Sequence, residues 1–129
     1  SQRERESVMN RPVKGVVIRP DCTFEELTLK ELTDYQTVIG GFITGVKLYN
    51  FDGKEVACGY VDDEGIPKRL PLNALGSAIS FLFGNTPYLA GNLLIVGKAD
   101  AEGYDTDVPE YLLELVRNVC DGSKLESDV

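Results

Sequence analysis

The chain has 129 residues, 43% of them hydrophobic, and 21 acidic side chains against 13 basic ones, for a net charge of −8. That length fits one domain with a single core, and no apolar run approaches the ~18 residues of a membrane span. Histidine is absent, which removes the commonest general base, the commonest metal ligand and the usual partner of a Ser or Cys nucleophile.

Residues 1–12, SQRERESVMNRP, alternate charges without an apolar stretch, so they read as a loose leader and not as a signal peptide. VKGVVIRP (13–20) is rich in β-branched residues between a glycine and a proline, the pattern of a buried strand. Asp21-Cys22 is a turn, and TFEELTL (23–29) pairs back as a second strand. LKELTDYQTVIGG (29–41) places Leu29, Leu32, Tyr35 and Val38-Ile39 at helical spacing and stops at Gly40-Gly41, a glycine C-cap. GFITGVKLYNF (41–51) and KEVACGYVD (54–62) are strands joined at Asp52-Gly53, the pair favoured in two-residue hairpins.

A loop, DEGIPKRLP, then leads to LNALGSAISFLFG (72–84), a helix with Leu75, Ala78-Ile79 and Leu82-Phe83 on its inward stripe. GNLLIVGKAD (91–100) is a compact apolar run between glycines, as in a central strand. DVPEYLLELVRNVCDG (107–122) is an amphipathic helix with Leu112, Leu115-Val116 and Val119 facing in and Gly122 as its cap. The acidic tail is 123–129. The order β-β-α-β-β-α-β-α with short hairpin links gives an α+β domain over 13–122. Its sheet is expected to be mixed and mostly antiparallel, with the helices on one face.

Three cysteines, Cys22, Cys58 and Cys120, are odd in number and form no C-x-x-C pair. They predict neither a disulfide framework nor a zinc site, and they fit a cytosolic location. Basic residues are scattered among the acidic ones, so no phosphate-tracking surface and no direct nucleic-acid binding are expected. GGFITG (40–45) follows a helix and opens a strand, the reverse of a dinucleotide loop. DAEGYDTDVPE (100–110) is rich in oxygen ligands, but its sixth position is Asp105 and its twelfth is Tyr111, which breaks the calcium-loop register. Asp107 with Glu110 instead forms a D-x-x-E capping pattern with Pro109 in the first turn. Asp62, Asp63 and Glu64 read as a solvated turn more readily than as an acid–base pair. No catalytic set, metal site or cofactor is predicted.

The informative residues lie in the 62–73 loop. Asn73 suits the N-cap of the next helix, and the N–H groups of that first turn could also hold an anion beside Lys68 and Arg69. A small-ligand site would bring Tyr60, Lys68, Arg69, Pro71 and Asn73 together.

Several fragments resemble one family in order and spacing. Gly40, Gly41, Phe42 and Ile43, then Glu64 and Gly65, then Leu70, Pro71 and Asn73, and finally Gly91, Ile95, Val96 and Gly97 are similar to the pattern of the domain of unknown function 3846. That family occurs in Gram-positive bacteria, their phages and their conjugative elements. Many relatives carry a basic residue after the asparagine, where this chain has Ala74. The resemblance implies a mobile-element setting but no reaction. The expected function is therefore that of a small, non-enzymatic, acidic accessory protein that binds a host protein, in regulation or counter-defence. The alternative is a binder of a nucleotide-like anion at the 62–73 loop. Oligomeric state is left open.

Overall fold

A computed structural model describes residues 9–127. The expected leader falls mostly outside them; of its last four residues, which are irregular, Met9 packs against the core. The end of the expected tail, 128–129, also lies outside the described residues.

Five strands form one sheet: β1 (Val13–Ile18), β2 (Phe24–Leu29), β3 (Ile43–Tyr49), β4 (Glu55–Asp62) and β5 (Leu93–Gly97). Among the described residues three helices intervene or follow: α1 (Leu32–Ile39), α2 (Ala74–Leu82) and α3 (Glu110–Ser127). The order β-β-α-β-β-α-β-α and the α+β class are as the sequence predicts. Spatially the strands run β2-β1-β5-β4-β3, and each neighbouring pair is antiparallel, so the expected parallel component is missing. Two hairpins, β1–β2 and β3–β4, supply the flanks, and β5 fills the slot between them.

The helices do not share one face. Tyr35 and Ile39 of α1 pack with Val13, Val17, Leu94 and Val96 on one side of the sheet. Ile79 of α2 and Leu112, Leu113, Val116 and Cys120 of α3 pack with Val16, Ile18, Val46, Leu93 and Ile95 on the other. The physical reason is legible in β5, whose five residues are all buried. A strand with apolar side chains on both faces needs cover on both.

Local chemistry sets the element ends. Asp34 accepts the backbone N–H groups of Lys30 (2.7 Å) and Glu31 (3.1 Å) at the start of α1. Gly40 ends it with φ 85° and donates its N–H to the Gln36 carbonyl at 2.7 Å. That left-handed turn favours a residue without Cβ. The β3–β4 link is longer than the two-residue hairpin expected. Asn50 Oδ1 accepts from the backbone of Asp52 and Lys54, each at 3.0 Å, and a bulge shifts register beside Tyr49. In α3 the expected Gly122 cap is overrun, because the helix continues to Ser127. Asp107 does not cap this helix either. Its Oδ1 accepts from the N–H of Lys14 at 2.8 Å, which ties the 98–109 loop to β1.

Candidate functional site

Four local constellations account for the polar and aromatic residues of interest. The first lies beneath α1. Tyr60, on β4, and Tyr35, on α1, meet edge to face with ring centroids 5.4 Å apart. Both hydroxyls donate to Asp105, Tyr35 at 3.0 Å and Tyr60 at 2.8 Å to Oδ2. Asp105 is buried. Burial pushes its carboxyl above the usual range, against the lowering effect of the two phenol donors. Burial also raises the two tyrosines, and it pushes the neighbouring Cys58 thiol up to about 11, with the Asp105 charge adding to it. Such a thiol is a poor nucleophile near neutral pH. The cluster locks the 98–109 loop over the sheet. The sequence marked Asp105 only as the residue that breaks a calcium-loop register, and its burial is what identifies its role.

The second is Asn73, fully buried at the N-cap of α2. Its Oδ1 accepts the Gly76 N–H at 2.8 Å, and its Nδ2 donates to the carbonyls of Ile18 and Gly91, each at 2.9 Å. Three segments are therefore joined by one side chain: the end of β1, the start of α2 and the approach to β5. Adjacent backbone bonds, Asn73 N–H to the Leu89 carbonyl and Gly91 N–H to the Pro71 carbonyl, extend the same seam at 2.8 Å each.

The third is the acidic turn after β4. Asp62 is buried, accepts the Glu64 N–H at 2.8 Å and pairs with the Lys68 ammonium at 2.8 Å. The Lys68 hydrogen bond holds the Asp62 carboxyl below the usual range and raises the lysine in return. This pair lies directly on Gly41. A Cβ there would sit 2.6 Å from Asp62 Oδ2 and 2.9 Å from Lys68 Nζ. Gly40 and Gly41 thus do different things: one turns the chain, the other leaves room. Gln36, Gly41, Phe42, Glu64 and Lys68 line a shallow groove of about 400 Å³. Arg69 is exposed, in the left-handed region with φ 59°, and Pro71 lines a separate groove with Arg19 and Asn92.

The predicted loop residues therefore divide among different places. Tyr60 belongs to the Asp105 cluster, Lys68 to the Asp62 pair, and Asn73 to the seam. Neither the Lys68 groove nor the Pro71 groove includes Tyr60, Arg69 or Asn73 in its lining. Nor do the described residues hold a group of three Asp, Glu, Cys or His side chains placed for a metal. In the 100–107 loop, Asp100 instead accepts from the backbone of Glu102 (2.9 Å) and Tyr104 (3.0 Å).

The fourth constellation was not anticipated. Tyr49, Asn50, Phe51, Leu82, Phe83 and Tyr111 line a groove of about 410 Å³ between the β3–β4 hairpin, the end of α2 and the start of α3. Phe51 is 95% exposed, Tyr111 53% and Leu82 50%. The sequence assigned Leu82 to the buried stripe of its helix. The stripe instead turns onto Ile79, and Leu82 is left on the groove wall. The remaining signal was a Tyr-Asn-Phe-Asp-Gly hairpin tip, which propensity reads only as a turn.

Residues 13–121 match the family model described as Domain of unknown function (DUF3846), and the chain belongs to that family. No curated protein and no solved structure is significantly similar to it. Among the described residues no helix is long and apolar enough to cross a membrane.

Proposed function

We propose that this member of the family is a non-enzymatic accessory protein of a phage or mobile element, and that it acts by binding a host protein. The observation that carries the reading is the aromatic groove. Leaving Phe51 in water forgoes the ~1.5–3 kcal/mol that burying a large apolar side chain contributes, and the half-exposed Tyr111 and Leu82 forgo about half as much each. Aromatic residues at a shallow concave surface are also the commonest energetic anchors of protein interfaces. Acidic side chains accompany them: Asp52 follows Phe51, while Glu110 and Glu114 flank Tyr111 on the exposed side of α3. With a net charge of −8, the chain favours a partner that presents an apolar centre ringed by lysine and arginine.

The anion-binding alternative has less support. Asn73 has its amide committed to three backbone groups, and Lys68 is paired with Asp62. A ligand at that helix start would need donors that the fold already uses.

The test begins with capture from a lysate of the bacterial host and reconstitution with the purified partner. Phe51→Ala and Tyr111→Ala change exposed side chains, so the fold should survive them. Each should weaken binding roughly tenfold or more, the effect of losing an interface anchor. Equal affinity for the unmodified protein and both variants would remove the groove from the interaction. A small mass retained on the native protein, and lost in Lys68→Ala, would favour the ligand reading.

A further inference from the structure

We infer that the outer edge of β3, from Ile43 to Lys47, receives an extended segment of another protein as a sixth strand of the sheet. The inference rests on the protein-binding reading above and names a second contact region for it. The argument starts from the direction of the backbone groups. In an antiparallel pair, each residue points its N–H and C=O to the same side, and successive residues alternate. The Phe42 carbonyl accepts from Asp63 N–H at 2.8 Å, so the even-numbered residues of this stretch face β4. The Lys47 carbonyl accepts from Asn85 Nδ2, and Tyr49 N–H donates to the Phe83 carbonyl, each at 2.8 Å, so the odd-numbered residues face outward. Ile43 and Gly45 therefore present both backbone groups at the edge, and Lys47 presents its N–H. No described residue occupies them.

The two edges of the sheet are treated differently. β2 carries Glu25 and Glu26, paired with Arg19 (2.6 Å) and Arg117 (3.0 Å), charges of the kind that blunt an edge. The β3 edge has no proline and an exposed glycine at its centre, and its one charge, Lys47, stands at the end that Asn85 already closes. Strand addition uses such an edge.

The same geometry selects the occupant. A second copy paired about Gly45 would carry its own Gly41-Phe42 past Lys47, into the 83–85 segment that closes the edge there. Two chains of charge −8 also repel. A foreign strand that stops at Asn85 and runs outward past Ile43 meets neither obstacle. Its continuation reaches Phe42, 69% exposed, and the groove shared by Gly41, Glu64 and Lys68. An apolar side chain suits the first of these.

Amide hydrogen exchange on the full chain, free and with peptides selected from a displayed library of random short sequences, tests this. In the free protein the amides of Ile43, Gly45 and Lys47 should exchange roughly a hundredfold faster than those of Thr44, Val46 and Leu48. A selected peptide should slow the first three. Gly45→Pro, which removes the outward N–H, should weaken that peptide about tenfold or more. Gly45→Ala should not, because a Cβ there meets only Cys58 Sγ at 3.7 Å. Since the proline could disturb β3 itself, protection of the Gly45 amide in the unmodified complex is the independent readout. Slow exchange at these amides in the free chain overturns the inference. So does a library that yields no peptide protecting them. Binding that Phe51→Ala abolishes and Gly45→Pro leaves intact also overturns it, while the protein-binding reading stands.

Discussion

Asn73→Ala separates a simple helix cap from a structural seam. A plain N-cap asparagine contributes about 1 kcal/mol. Here the truncation also strips the Gly91 carbonyl, bonded at 2.9 Å, of its side-chain donor at a site with no solvent access, and it takes a second donor from the Ile18 carbonyl, which faces Leu93 in the β1–β5 ladder. A buried acceptor stripped of its partner costs ~1–3 kcal/mol. Cap and stripped acceptor together should cost roughly 2–4 kcal/mol, a large part of the 5–15 kcal/mol typical of a whole domain. Urea unfolding followed by far-ultraviolet circular dichroism measures it, since the chain has no tryptophan to report by fluorescence. The midpoint should fall with an unchanged slope. Asn73→Asp is the sharper variant. It keeps the cap oxygen but turns the other end of the side chain from a donor into an acceptor facing two carbonyls. It should be badly destabilised near neutral pH and partly recover on acidification, when the carboxyl gains a proton to donate. A loss of only about 1 kcal/mol in Asn73→Ala, or an aspartate variant as stable as the original at pH 7, would refute this reasoning.

Three further outcomes follow from the same geometry. Asp105 has a carboxyl raised by burial, the reverse of the usual surface aspartate. As pH rises from the unfolded value of about 3.9 through the higher folded value, the unfolded chain ionises first and stability is lost; below that window nothing is lost. The stability of the unmodified protein relative to Asp105→Asn should therefore fall with rising pH across that window, and paired unfolding titrations would show the opposite slope if the carboxylate were favourably solvated. Ser80 Oγ is buried without a hydrogen-bond partner, so Ser80→Ala should raise stability by about 1 kcal/mol, from the buried hydroxyl removed and the better helix former introduced; a lower melting temperature would mean that the hydroxyl is bonded. Arg69 holds φ 59°, a conformation that costs a residue with Cβ roughly 1 kcal/mol, so Arg69→Gly should leave stability unchanged or slightly higher, and a clear loss would show that the guanidinium anchors the loop.

The elements were legible wherever local chemistry decides them: the Gly40 cap, the Asn73 cap, the β-branched run of β1 and the apolar run of β5. Sidedness was harder. β4 offers Cys58 and Tyr60 to one cluster and Ala57 and Val61 to the other. Apolar residues at both alternations of β4 are visible in the sequence, but which element covers which face is not. The polar clusters were obscured for another reason. Tyr35 and Tyr60 reach Asp105 across 70 and 45 residues of chain, and Ile18 lies 55 residues before Asn73. No window of sequence contains both partners. The aromatic groove likewise joins a hairpin tip to the ends of two helices. Each of its residues, taken alone, has an ordinary explanation in its own element.

The position of β5 bears on how the protein is made. The outer hairpins close over short loops, so each can form early, yet neither touches the other until Leu93–Gly97 slides between them. Until that strand arrives, β1 and β4 both expose an inner edge and their apolar faces. Folding during synthesis must therefore wait until most of the chain has left the ribosome, and a truncation ahead of residue 93 should give two unjoined hairpins prone to aggregation. Completion of the sheet and the docking of α3 then become a single late event.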